Sequence, residues 1–221
     1  PVISSAASDV YKRQSFKWSR ALMCAGYKTI TPIKLLNGVS AYNKKTISFK
    51  ALRVYIACFE LQAIREAAKR SQRAKGAKGT QWVSYQRKEL IAATGGLTMR
   101  SIGKSLSELR NAGIRDFREG ELVFTETPSQ SARGLLEAAT DGRKASRPIP
   151  VPRRLIRYLS SLNKPALFLT LIAYVLRGLS INRKSGEIKT AGTVKASFIS
   201  EVFGISLRAV KGARAEMIEL G

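Results

Sequence analysis

Histidine is absent from the chain. That removes the commonest general base, the Ser/His and Cys/His nucleophile pairs, and most zinc sites. The only aspartates are Asp9, Asp116 and Asp141, scattered so that no carboxylate cluster could hold the metal ions of a nuclease or polymerase. No GxxxxGK[ST] stretch is present to cradle a nucleotide phosphate. The expectation is a protein that is not an enzyme and takes no metal or cofactor. Cys24 and Cys58 give neither a disulfide framework nor a metal spacing, which fits a reducing, cytosolic compartment. The longest apolar run, ALFLTLIAYVL from Ala166 to Leu176, is too short to span a bilayer and ends against Arg177.

Positive charge is what the chain has in excess. Its 39 Lys and Arg stand against 15 Asp and Glu, a formal net charge of +24. Solubility needs far less, so the balance predicts a polyanionic partner, nucleic acid first and an anionic membrane surface second. With 221 residues, 44% of them hydrophobic, the chain can bury one sizeable core or two small ones.

The apolar pattern is clearest in the middle. Phe49, Leu52, Ile56, Phe59 and Ala63 recur at steps of three and four, which predicts a helix from Ser48 to Lys69 with one buried face. A basic tail, KRSQRAKGAKG, follows and reads as a solvated loop or a phosphate contact. TQWVSY alternates like a short strand, and QRKELIAATGG reads as a short helix with Leu90 and Ile91 inward, ended by glycine. In LTMRSIGKSLSELRNAG, Thr98 sits where an N-cap belongs, with Met99, Ile102, Leu106 and Leu109 as the inward stripe. The outer face carries Arg100, Ser101, Lys104 and Asn111. IRDFREGELVFTET then splits into two alternating runs about Glu119 and Gly120, a hairpin signal.

Shifting the sequence by 108 residues lays GLTMRSIGKSLSELRNAG (Gly96 to Gly113) on GISLRAVKGARAEMIELG (Gly204 to Gly221) without a gap. Gly96 meets Gly204, Arg100 meets Arg208, Glu108 meets Glu216 and Gly113 meets Gly221. Leu97 pairs with Ile205, Met99 with Leu207, Ile102 with Val210 and Leu109 with Met217, while the cap Thr98 pairs with Ser206. A duplicated module is the simplest source of such a match.

Both copies resemble the helix-turn-helix core of winged-helix DNA-binding proteins: a short helix, a turn with glycine, and a recognition helix opened by Thr or Ser. Two of them in one basic chain resemble the plasmid replication initiators that bind repeated origin sequences. The resemblance implies a recognition helix entering the major groove N-terminal end first. Arg100, Ser101 and Lys104 in the first copy, and Arg208 and Lys211 in the second, are then the candidate base contacts. Candidate backbone contacts are Thr98, Asn111 and Ser206, Arg115 and Arg118 on the wing hairpin, Arg214 at the flank, and the cluster Arg153, Arg154 and Arg157. Glu108 and Glu216 read as ion-pair partners of neighbouring Lys or Arg on the helix.

The expected fold is mainly α with small β-hairpins (α+β), two winged helix-turn-helix domains in tandem, the second lacking its wing. Residues 15–45 read as an N-terminal extension, 46–126 as the first domain, 127–147 as a linker with one helical turn at ARGLLEAAT, and 148–221 as the second domain. In that domain PRRLIRYLSSL and Lys164 to Leu179 predict helices, and INRKSGEIKT a basic hairpin or loop. Because the second copy stops at the slot of Gly113, a truncated module is expected. Ser4 to Gln14, SSAASDVYKRQ, resembles the in-frame translation of a transposon-derived sequencing-library adapter, so residues 1–14 are expected to carry no structure. The function expected is sequence-specific binding of double-stranded DNA for replication initiation on a plasmid-like or phage-like element, in contact with replication or transcription machinery and not with a membrane. It would act in the cytoplasm, associated with nucleoid or plasmid. A transcriptional regulator, or a non-specific basic or RNA-binding protein, are the alternatives.

Overall fold

A computed structural model describes residues 14–17, 26–74, 87–118, 121–124, 130–140, 147–181, 187–189 and 191–219. The chain is mainly helical, with small two-stranded antiparallel sheets. In order these are β1 (Gln14–Lys17), β2 (Tyr27–Ile30), α1 (Pro32–Asn43), α2 (Phe49–Ala74), α3 (Arg87–Ala93), α4 (Met99–Asn111), β3 (Arg115–Arg118), β4 (Glu121–Phe124) and α5 (Gln130–Thr140). Then follow β5 (Ile149–Pro152), α6 (Arg153–Ser161), α7 (Pro165–Gly178), β6 (Ser180–Ile181), β7 (Ile188–Lys189), β8 (Ala191–Val194), α8 (Ala196–Phe203) and α9 (Leu207–Glu219). No helix among the described residues is long and apolar enough to cross a membrane.

The internal match reaches further than the lag of 108. PIKLLNGVSAYNK opens α1 and PRRLIRYLSSLNK opens α6, and at a lag of 120 Pro32, Leu35, Ser40, Asn43 and Lys44 meet Pro152, Leu155, Ser160, Asn163 and Lys164. The matched slots share burial: Leu36 and Ile156, Val39 and Leu159, and the hydroxyl residues Ser40 and Ser160 are all inside. A third lag, 116, lays Ile56 and Ala57 of α2 on Ile172 and Ala173 of α7. Each half is therefore a strand, two helices, and then a short helix turning into a longer one. The lag falls from 120 to 116 because residues 45–48 ahead of α2 have no counterpart ahead of α7, and from 116 to 108 because α2, at 26 residues, is longer than α7, at 14.

The halves share one core. β2 pairs antiparallel with β5, Tyr27 opposite Pro152 and Ile30 opposite Ile149. α2 is buried on every side from Ala51 to Leu61 and not on one face alone, because α1, α3 and α4 cover part of it and α6 of the other half covers the rest. Phe49 at its start meets Phe168 of α7 edge to face, ring centroids 5.5 Å apart. A glycine permits the closest crossing: a Cβ at Gly38 would lie 2.5 Å from the Tyr55 ring.

Three expectations are corrected here. Residues 26–43 are no extension, since Leu35, Leu36 and Val39 are at most 2% exposed in the common core. The stretch read as a linker holds α5, eleven residues long, which packs between α1 and α7 with Ala132 and Ala139 inside and Ser40 donating to Ser131 at 3.0 Å. Gln14, taken as part of a structureless stretch, lies in β1 opposite Val194 of β8, whereas residues 1–13 are outside the described ones. The strand expected at TQWVSY is also outside them. Arg115–Arg118 and Glu121–Phe124 do pair as a hairpin, Arg118 opposite Glu121, and β6 pairs with β7 as expected of INRKSGEIKT.

Candidate nucleic-acid interface

α4 and α9 are each thirteen residues long and start alike. The Thr98 hydroxyl oxygen accepts the N–H of Ser101 at 3.2 Å, and that of Ser206 accepts the N–H of Ala209 at 3.2 Å. Such N-caps satisfy donors the first helical turn cannot pair internally. Ahead of each, glycine takes the left-handed conformation that ends the preceding short helix: Gly95 at φ +66° and Gly204 at φ +66°.

Inward, Ile102, Ser105 and Leu109 of α4 match Val210, Ala213 and Met217 of α9, all buried. A carboxylate holds the far end in both. Glu108 accepts the backbone N–H of Ser48 at 2.7 Å, and Glu216 meets the Lys164 ammonium at 2.9 Å. Ser48 and Lys164 are the residues directly before α2 and α7, so the pairs run between helices and not along the helix as the sequence suggested. Outward, Arg100, Lys104, Arg208 and Lys211 are exposed, and Ser101 is half-buried with its hydroxyl oxygen accepting from Thr98 at 3.1 Å. Asn111 is exposed but lies about 18 Å along α4 from Met99 at 1.5 Å per residue, too far to share a contact made by the first turn.

The structure moves several side chains away from the expected interface. Met99 and Leu207, expected inside, are each 43% exposed, because the first helical residue projects beyond the core that the second turn reaches. Arg214 faces inward at 5% exposure: its guanidinium donates to the Val194 carbonyl and lies 5.8 Å over the Tyr174 ring. β8 and α7 wall in the slot that half-buried Leu106 fills in α4, so Arg214 is no surface contact. Arg153 and Arg157 converge instead on Glu60 of α2, itself 2% exposed, at 2.7 Å and 2.8 Å. Hydrogen bonding to Glu60 raises the Arg153 pKa above its usual value. Two of the three arginines of the expected phosphate-facing cluster are thus spent on joining the two halves, and the third, Arg154, is exposed. The side chains of Arg115 and Arg118 lie outside the described ones.

Comparison with family models, curated proteins and solved structures gives no match.

Arg53 escaped the sequence reading altogether. It is 4% exposed, and its guanidinium donates to the carbonyls of Ser160 (2.8 Å), Ser161 (3.2 Å) and Thr94 (2.6 Å), which close α6 and α3. A cation there suits two helix C-termini at once, though burial lowers its pKa below the usual value. The neighbouring Ser160 hydroxyl donates to the Ala93 carbonyl, and a Cβ on Gly95 would come within 2.8 Å of Ser161. The turn between α3 and α4 is therefore clamped to the other half of the chain. A cleft of about 690 Å³ also lies where the halves meet, with Ile47, Phe203 and Ile205 in its wall. Its charged lining is two carboxylates, Glu108 and Glu201, against one ammonium, Lys45, which favours phosphate less than the exposed arginines at the start of either helix.

Proposed function

We propose that the protein binds double-stranded DNA sequence-specifically, with α4 and α9 as the recognition helices of two winged helix-turn-helix modules, and that this binding initiates replication on a plasmid-like or phage-like element. The carrying observation is the repeated opening of the two helices: a hydroxyl cap, an exposed apolar residue and an exposed arginine at Thr98–Arg100 and again at Ser206–Arg208. An arginine in the first turn of a helix entering the major groove can reach guanine O6 and N7 together. The charge of +24 supplies the sequence-independent attraction to phosphate. The two modules share a core, so their half-sites are held at one spacing and not joined by a slack tether.

The test is selection of the full chain on a random duplex library, followed by affinity measurements at several salt concentrations. One enriched sequence with two half-sites is expected. Equal affinity for every duplex, or a preference for single-stranded RNA, would overturn the proposal. Arg100→Ala and Arg208→Ala should each relax preference at one base pair by about 1–3 kcal/mol while non-specific binding changes little; a parallel loss of both affinities would make them phosphate contacts. A plasmid whose only origin carries the enriched site should replicate when this chain is supplied. Repression of a reporter without replication would make the protein a transcriptional regulator.

A further inference from the structure

Large apolar side chains stand exposed at few described positions: Tyr27, Ile64, Met99, Leu207 and Ile218. Met99 and Leu207 occupy the same slot of the duplicated module, and each is 43% exposed. Elsewhere the outer faces of α4 and α9 have drifted apart: Ser101 meets Ala209, Gly103 meets Lys211, Lys104 meets Gly212, Ser107 meets Ala215 and Arg110 meets Ile218. Only the opening triplet keeps its chemistry on the exposed side of the first turn. A lone exposed leucine needs no explanation. An apolar side chain kept at one exposed slot in both copies, between a hydroxyl cap and an arginine, calls for an apolar partner inside a polar, anionic surface.

Direction narrows what that partner is. Cα–Cβ bonds in a helix tilt toward its N-terminus, so the first helical residue projects furthest beyond the end. Met99 and Leu207 stand one residue before Arg100 and Arg208 at the same exposed helix end, so a groove that receives that end is within reach of both side chains. In the major groove of duplex DNA the apolar feature on a base edge is the C5-methyl group of thymine. We infer that Met99 and Leu207 are specificity-determining residues that each read a thymine methyl next to the base pair contacted by the adjacent arginine. The inference rests on the DNA-binding reading above. It adds that each half-site contains an obligatory thymine recognised by its methyl group and not by hydrogen bonds.

The experiment uses the full chain and the duplex enriched by selection, with deoxyuridine replacing thymidine one position at a time. That change removes the methyl group and leaves every hydrogen-bonding atom in place. One position in each half-site should show a loss of about fourfold, the scale of one methyl-sized group left in water. Met99→Ala should abolish the sensitivity at one half-site and Leu207→Ala at the other, each leaving the other half-site's sensitivity intact. Neither side chain is part of the core, and the uridine series on the unaltered chain requires no variant at all. Equal binding of all uridine duplexes by the unaltered chain, or undiminished sensitivity in both variants, would overturn the inference while specific binding to the enriched duplex still stood. Failure to enrich any duplex would instead overturn the DNA-binding reading, and this inference with it.

Discussion

Glu108, in the third turn of α4, accepts the backbone N–H of Ser48 at 2.7 Å, sixty residues earlier in the chain. The bond does two things at once. It satisfies an N–H at the start of α2, where a negative charge is favoured, and it fixes the far end of α4 against that helix. Glu216 does the same work with a different partner, the Lys164 ammonium ahead of α7, at 2.9 Å.

The two carboxylates should differ in weight. Glu108→Ala forfeits a charge-assisted bond to backbone and should cost about 1–2 kcal/mol in urea unfolding. Glu216→Ala breaks an ion pair whose lysine side chain is 66% exposed, and should cost well under about 1 kcal/mol, most of it lost in high salt. A larger penalty for Glu216→Ala than for Glu108→Ala would contradict this account.

Removing the Arg53 guanidinium, as in Arg53→Met, leaves the carbonyls of Thr94, Ser160 and Ser161 without their buried donor and should destabilise by about 3 kcal/mol or more. Arg153→Ala should cost less, about 1–2 kcal/mol, since Arg157 still reaches Glu60. Its effect on the salt dependence of DNA affinity should be nil, because this guanidinium is committed to Glu60 and neutralises no phosphate. A salt slope shallower by about one unit in Arg153→Ala would return the residue to the DNA surface.

Alkaline pH should weaken the fold through Tyr174 and Tyr158. Burial raises the pKa of both phenols, Arg214 opposing it at Tyr174, while Glu216 adds to it and Lys164 opposes it at Tyr158. In the unfolded chain a tyrosine loses its proton near pH 10. Above that value the unfolded state binds fewer protons than the folded one, so stability falls as pH rises, and below it the contribution is complete. Urea midpoints between pH 9 and pH 11 should therefore decline, and the decline should be shallower in Tyr174→Phe than in the unaltered chain. Identical slopes would rule out Tyr174 as a source.

Much of the local structure was legible. Three- and four-residue spacing located α2, α4 and α9, hydroxyl residues before apolar runs marked the caps at Thr98 and Ser206, and alternation about Glu119 and Gly120 gave the hairpin. Periodicity reports a face but not how many neighbours a helix has, so the burial of α2 on all sides did not show. Nothing in the sequence singled out Glu60 or Arg53, because their partners are far off along the chain, Arg153 by 93 residues and Ser160 by 107. The match between α1 and α6 was present in the letters, but at a lag of 120 that no search at 108 could register. Arg214 misled for a related reason: its long stem and a single carbonyl partner allow a cation where the first copy has leucine. Of the candidate interface, the exposed arginines were legible and the exposure of Met99 and Leu207 was not, since an apolar residue at helical spacing reads as core.

The β2–β5 ladder joins equivalent segments of the two halves to each other, antiparallel, as a local twofold axis would place them. Identical subunits make self-complementary contacts of that kind when they form a dimer. The symmetry stops at the side chains: at the lag that aligns α2 with α7, Arg53 and Glu60 fall on Leu169 and Leu176. The contacts between the halves are therefore unequal: Arg53 and Glu60 of α2 reach Ser160, Arg153 and Arg157 of the other half, while α7 has leucine at both matching slots.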